Sequence, residues 1–138
     1  MATFGDAAIR AVEFVRDRKC PSPEDAWKRA AAELFPDSES MRKKGCPRAA
    51  FLGLCEEGLV VGVDRGTYTR SQENKADVVK AAALLARDPA LASRGSMALW
   101  DRVLAGRTKR HNSQMDVVLA LYGRGLLSLV PPKAGFIP

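Results

Sequence analysis

The stretch FLGLCEEGLVVGVDRGTYTR, residues 51–70, decides how the chain is read. Phe51, Leu54 and Cys55 fall on one helical stripe with Leu52 beside it, and Gly58 stops the helix. Residues 59–63 are rich in Leu and Val and lie between Gly58 and Asp64. Asp64, Arg65 and Gly66 are turn residues, and residues 67–69 suit a return strand. The spacing therefore predicts a helix that runs through a glycine into a short β-hairpin.

Upstream, Ser22 is an N-cap residue with Pro23 at the first helical position and Glu24 and Asp25 in the first turn. Trp27, Ala30, Ala31 and Leu34 then recur at the spacing of a buried helix face, and Pro36 ends the helix. Asp37 is expected to cap a short helix through Arg42 to Lys44, closed by Gly45, before Cys46 and Pro47 start the helix at 47–57. In this order of elements residues 24–70 resemble the winged-helix class. The helix that should read bases is poorly equipped for it, since beyond Arg48 it offers Ala49, Ala50, Gly53, Glu56 and Glu57. Groove reading needs Arg, Lys, Asn or Gln there. The shape of a winged helix is expected, without sequence-specific reading by that helix.

A first helix is expected at about 6–18, with Ala8, Val12 and Val15 on one stripe. Downstream of the hairpin, Ser71 caps a helix carrying Val79, Ala82, Ala83 and Ala86. The next contains Leu99, Trp100, Val103 and Leu104, and the last, at about 113–122, has Asn112 as cap and Met115, Val118, Leu119 and Tyr122 on one face. Placing Gly58 and Leu59 over Gly125 and Leu126 superposes residues 51–63 on 118–130, and each helix is preceded by one that carries a Trp. A degenerate duplication accounts for this pattern, and so do the local rules of helix–Gly junctions. The expected fold class is mainly α: six to seven helices with one short β-hairpin and winged-helix-like corners, a single compact domain over 1–130 and a loosely held tail over 131–138.

Composition narrows the function classes. With 46% hydrophobic and 28% charged residues the chain has the balance of a globular domain. No apolar run approaches the ~20 residues of a membrane span, and MATFGDAAIRAVEF lacks the pattern of a signal peptide. A cytoplasmic protein without membrane contact is expected. Three cysteines with no C-x-x-C pair suggest neither a disulfide framework nor a zinc site, and a single histidine restricts His-based chemistry to one position. No cofactor, metal or catalytic residue is assigned, and an enzyme is not expected.

The formal charge is +6, and the basic residues gather at Arg16, Arg18 and Lys19, at Lys28 and Arg29, and in two further regions that bear on function. Arg42, Lys43, Lys44, Arg48, Arg65 and Arg70 surround the helix-to-hairpin corner. In GRTKRHNSQMD, residues 106–116, Arg107, Lys109, Arg110 and His111 run into a helix start whose Asn112, Ser113 and Gln114 are hydrogen-bonding residues. Side-chain charge and free backbone N–H groups at such a place suit an anion. The residues point to non-catalytic binding of nucleic acid or another polyanion. An interaction module for an acidic protein is the alternative, and the same charges also serve as helix-end cations and solvated surface. Cys46, between Lys44 and Arg48 near a helix start, reads either as a thiol activated for a redox or enzymatic role or as a half-buried cap.

KKGCPRAAFLGLCEEGLV at 43–60 and KRHNSQMDVVLAL at 109–121, with PDSES at 36–40, are similar to a family of short bacterial proteins of undetermined function. The resemblance implies a bacterial origin and one small domain. It carries over no activity, ligand or catalytic residue.

Overall fold

The computed structural model describes residues 2–129, so the expected tail at 131–138 lies outside the described residues. Helix α1 (Phe4–Arg16) starts in a capping box, in which Thr3 Oγ1 accepts from Asp6 N–H and the Asp6 carboxylate accepts from Thr3 N–H. Helix α2 (Pro23–Leu34) begins as expected, with Ser22 accepting from Asp25 N–H and Pro23 at the first position. Short α3 (Glu39–Arg42) is capped by Ser38 rather than Asp37. Then follow α4 (Gly45–Glu56), α5 (Gln72–Arg87), a 3₁₀ turn (Pro89–Arg94), α6 (Ser96–Leu104) and α7 (Gln114–Gly123). The protein is mainly helical, with seven α-helices among the described residues.

The hairpin does not form. Among the described residues the only β pairing is an isolated antiparallel bridge between Val60 and Leu127. Two causes are visible. Gly62 takes a left-handed φ of +87°, and Val63 N–H closes back on Val60 C=O, so the extended segment turns after two residues. The amides that a return strand would have offered go instead to a carboxylate: Tyr68 and Thr69 N–H both donate to Glu56 Oε1, at 2.8 and 3.1 Å. The winged-helix corner is corrected with it, because there is no wing and the supposed reading helix lies in the core. Pro47 and every residue from Ala49 to Glu56 are buried.

The two helix-to-glycine corners are built alike and face one another. At the end of α4, Gly58 (φ +74°) and Leu59 send their N–H groups to Cys55 and Leu54 C=O. At the end of α7, Gly125 (φ +69°) and Leu126 send theirs to Tyr122 and Leu121 C=O. These are paired closures of a helix by a left-handed glycine. The segments that leave them exchange reciprocal bonds, Val61 N–H to Leu126 C=O at 2.9 Å and Ser128 N–H to Leu59 C=O at 2.7 Å.

Packing repeats the relation. Helix α1 lies on α7 and α5 lies on α4, while α4 and α7 meet at the centre. Both outer contacts are close. A Cβ on Gly5 would stand 2.6 Å from Ala120 Cβ, and one on Gly53 would stand 2.8 Å from Lys75 Cα. Between them Trp27 stacks on Phe51 with ring centroids 5.4 Å apart, and Trp27, Phe51, Leu54 and Trp100 are buried as their stripes predict. The register of α7 differs from expectation: Val117 and Leu121 are buried beside Met115 and Val118, whereas Leu119 and Tyr122 are half-buried. Contact with α1, α4, α5 and α6 leaves α7 covered on most sides, which blurs a one-face pattern.

Close approach at Gly53 has a measurable consequence. Gly53→Ala gains helix propensity of about 1 kcal/mol but must push the α5 backbone away, an overpacking cost of about 1–3 kcal/mol. A net loss of stability in denaturant unfolding is expected. Gly123→Ala, where a Cβ meets nothing within 4 Å, should be neutral or stabilising.

Candidate functional site

Helix starts converge on one open cleft of about 880 Å³. Lys44, Gly45, Cys46, Arg48 and Ala49 line it from the beginning of α4, Ser71 and Asn74 from the beginning of α5, and residues 68–70 from the loop between. Asn112 reaches it from the loop before α7. Helices α1, α2 and α3 each have an N-cap side-chain bond, whereas α4 and α5, like α6 and α7, have none. The first-turn N–H groups of α4 and α5 are thus left without a side-chain acceptor at the mouth of the cleft.

The wall formed by residues 68–70 is held by Glu56, at the last position of α4. Besides the two backbone amides, its carboxylate accepts from Lys75 Nζ at 2.6 Å, and Lys75 also pairs with Glu57 at 3.1 Å. Burial pushes the Glu56 carboxyl up, but Lys75 and the two N–H donors outweigh it and hold it at about 2. Tyr68, anchored through its N–H, also donates its hydroxyl to Asp64 C=O at 2.7 Å.

The floor is a buried amide network. Gln114, wholly buried, accepts from Asn112 N–H and donates Nε2 to Asn74 Oδ1 at 3.2 Å. That fixes the Asn74 amide so that Nδ2 faces Ser71 Oγ at 2.9 Å and Cys46 Sγ at 4.0 Å. Glu24 also lines the cleft, and its Oε1 is buried without a hydrogen-bond partner among the described residues.

The structure divides the residues singled out from sequence. Lys44, Arg48, Arg70, Cys46 and Asn112 come together in the cleft. Arg42 turns away and donates to Phe35 and Pro36 C=O, finishing α2, while Lys43 pairs with Glu39 at 2.6 Å. Arg65 lies on the exposed turn beyond the cleft wall. Arg107 and Lys109 are both drawn onto Asp77, at 2.9 and 2.7 Å, and Lys109 also meets Glu73 at 2.8 Å. Arg110 is exposed outside the cleft lining, and Ser113 takes a left-handed φ of +69° as the α7 N-cap. His111 tilts against Trp100 and accepts from Met115 N–H through Nε2, so it serves α7 where Asn112 was expected to. Burial lowers its pKa, Asp116 opposes this in part and Lys44 adds to it, and the net lowering keeps that nitrogen able to accept.

Sequence reasoning missed Asn74, Glu56 and Asp77. Each is a polar residue at a buried helix position, and the only signal was a break in an otherwise apolar stripe. Among the described residues, no three His, Cys, Asp or Glu side chains gather as metal ligands would, and no helix is long and apolar enough to cross a membrane.

These features define a small, mainly helical protein with a basic cleft between two helix N-termini. The chain belongs to a family of unknown function (DUF6979), which it matches over residues 1–128. No curated protein and no solved structure matches it.

Two outcomes follow for the site. Because the folded Glu56 carboxyl sits at about 2 against an ordinary 4.5, its contribution is complete above about pH 4.5 and is lost as pH falls toward 2. Glu56→Gln should cost about 1–3 kcal/mol at pH 7 and flatten the stability profile in that acid window, read by denaturant unfolding at several pH values. For the thiols, Cys20 and Cys55 are buried and Cys46 is half-exposed, with burial holding the Cys55 thiol well above its usual range. A thiol reagent should therefore label only Cys46 readily in the native protein and all three after denaturation.

Proposed function

We propose that this is a non-catalytic nucleic-acid-binding protein that takes backbone phosphates into the cleft between α4 and α5. The supporting observation is that Lys44, Arg48 and Arg70 line one cleft and none of them forms an ion pair among the described residues. Elsewhere in the two basic regions, Lys43, Arg107 and Lys109 are neutralised by carboxylates. Arg48 and Arg70, with Lys44 whose Nζ also stands 5.6 Å over the Phe4 ring, lie beside two helix starts without a side-chain cap, and that is what a phosphate needs: long-range attraction, then directed N–H donors.

We further read the two halves, α1–α2–α4 and α5–α6–α7, as copies of one three-helix unit. The twin corners and the paired close contacts support it. On that reading the cleft has a counterpart between the starts of α1 and α7, about 500 Å³ in volume, lined by Thr3, Phe4, Gly5, Ser113, Asp116 and Leu119 among others. Its one charged lining residue is an acid. The basic set belongs to one cleft of the pair, as expected of residues kept for a ligand rather than for the unit's own folding.

Fluorescence anisotropy with labelled nucleic acid at several salt concentrations tests the proposal. Each contacted phosphate adds about 0.7 (single strand) to 0.9 (duplex) to the slope of log affinity against log salt, so Arg48→Ala with Arg70→Ala should flatten it by about 1.4 to 1.8. Lys109→Ala should leave the slope in place and lower stability instead, since it strips Asp77 of a partner. A parent protein that binds nothing at low salt defeats the proposal.

A further inference from the structure

We infer that the nucleic acid taken by this cleft is single-stranded, with one unstacked base laid against Tyr68 and its neighbouring phosphates on Lys44, Arg48 and Arg70. The inference rests on the nucleic-acid reading above. Three observations carry it. First, duplex reading by a helix needs an exposed helix face to enter the major groove. Helix α4 is buried from Ala49 to Glu56, and no wing stands beside it. The cations therefore lie around a concave pocket rather than along a projecting element.

Second, the pocket holds an aromatic ring among the cations. Tyr68 lines the cleft half-buried, fixed at its N–H by Glu56 and at its hydroxyl by Asp64 C=O. Gly66 packs so closely on the hydroxyl end of the ring that a Cβ there would stand 2.6 Å from Cζ. A ring fixed at both ends is a stacking platform that costs little ordering on binding, and a ring beside cations is the usual arrangement for an unpaired base and its phosphates. A duplex keeps its bases inside the stack and has nothing to place there.

Third, the cleft is not uniformly basic. Glu24 lines it, and its carboxylate makes no hydrogen bond or ion pair among the described residues. A bare polyphosphate would be repelled by that charge. A base edge answers it, since exocyclic amino groups and the N3–H of thymine are donors, and Asn112 also lines the cleft.

The test compares oligothymidine of about 12 nucleotides with a duplex of equal length, for the parent, Tyr68→Phe and Tyr68→Leu. The single strand should bind more tightly than the duplex. Tyr68→Phe should stay within about twofold, and Tyr68→Leu should weaken the single strand about ten- to a hundredfold with little change on the duplex. Because Tyr68→Leu can disturb the loop, a second readout uses the parent alone: a 2-aminopurine placed in the strand should lose fluorescence on binding as it stacks. Equal affinity for single strand and duplex, a Tyr68→Leu variant that folds and binds like the parent, or unchanged 2-aminopurine emission in the bound strand would each overturn the inference. In those cases the salt dependence through Arg48 and Arg70 can still uphold the nucleic-acid reading, whereas a parent that binds neither probe removes both.

Discussion

One carboxylate organises the region on which the cleft depends. Glu56 is 8% exposed and would be costly to bury alone, yet it is satisfied by two backbone amides and by Lys75. In taking the Tyr68 and Thr69 N–H groups it removes the donors of a return strand, so the chain beyond Gly58 becomes a loop strapped to the end of α4. The same carboxylate ties that loop to α5, because Lys75 stands where α5 crosses Gly53. The loop wall, the start of α5 and the end of α4 are thereby fixed together, and the spacing of Arg70 and Tyr68 from the other lining residues follows from it.

Asp77 does the corresponding work on the other side. It is 4% exposed and gathers Arg107 and Lys109 from the loop that leads to α7. Trp100 adds a bond from Nε1 to Lys109 C=O at 3.1 Å, so the loop is held by its side chains and its backbone. What reads in one dimension as a basic patch is in three dimensions a tether, because Arg107 and Lys109 are paired with Asp77.

Local chemistry was legible in the sequence and long-range exchange was not. Ser22 with Pro23, the stops at Gly58 and Gly125, and the stripe of Trp27 announce themselves because capping and left-handed glycines act within a few residues. The partners of the residues at 59–61 lie at 126–128, and the acceptor for Tyr68 and Thr69 is on another helix. A β-branched run followed by turn residues gives no sign of such a choice. The cleft was half legible: Lys44, Arg48 and Arg70 were singled out by charge, but only Asp77, Glu39 and the carbonyls at the end of α2 separate them from Arg107, Lys109, Lys43 and Arg42. Gln114, which the sequence offers as a hydrogen-bonding residue for an anion at a helix start, is wholly buried and holds Asn74 in place.

The crossed packing of the helices bears on how the chain acquires its structure. Since α1 rests on α7 and α5 on α4, each half covers part of the other's apolar surface. Synthesis from the N-terminus, at roughly 5–20 residues per second, leaves the faces of α1 and α4 that pack on α7 uncovered until α7 has emerged. The segment at 59–61 then still lacks its mate at 126–128. Loss of α7 would strip one covering helix from both α1 and α4, and the molecule should gain its full order in one late, concerted event rather than half by half.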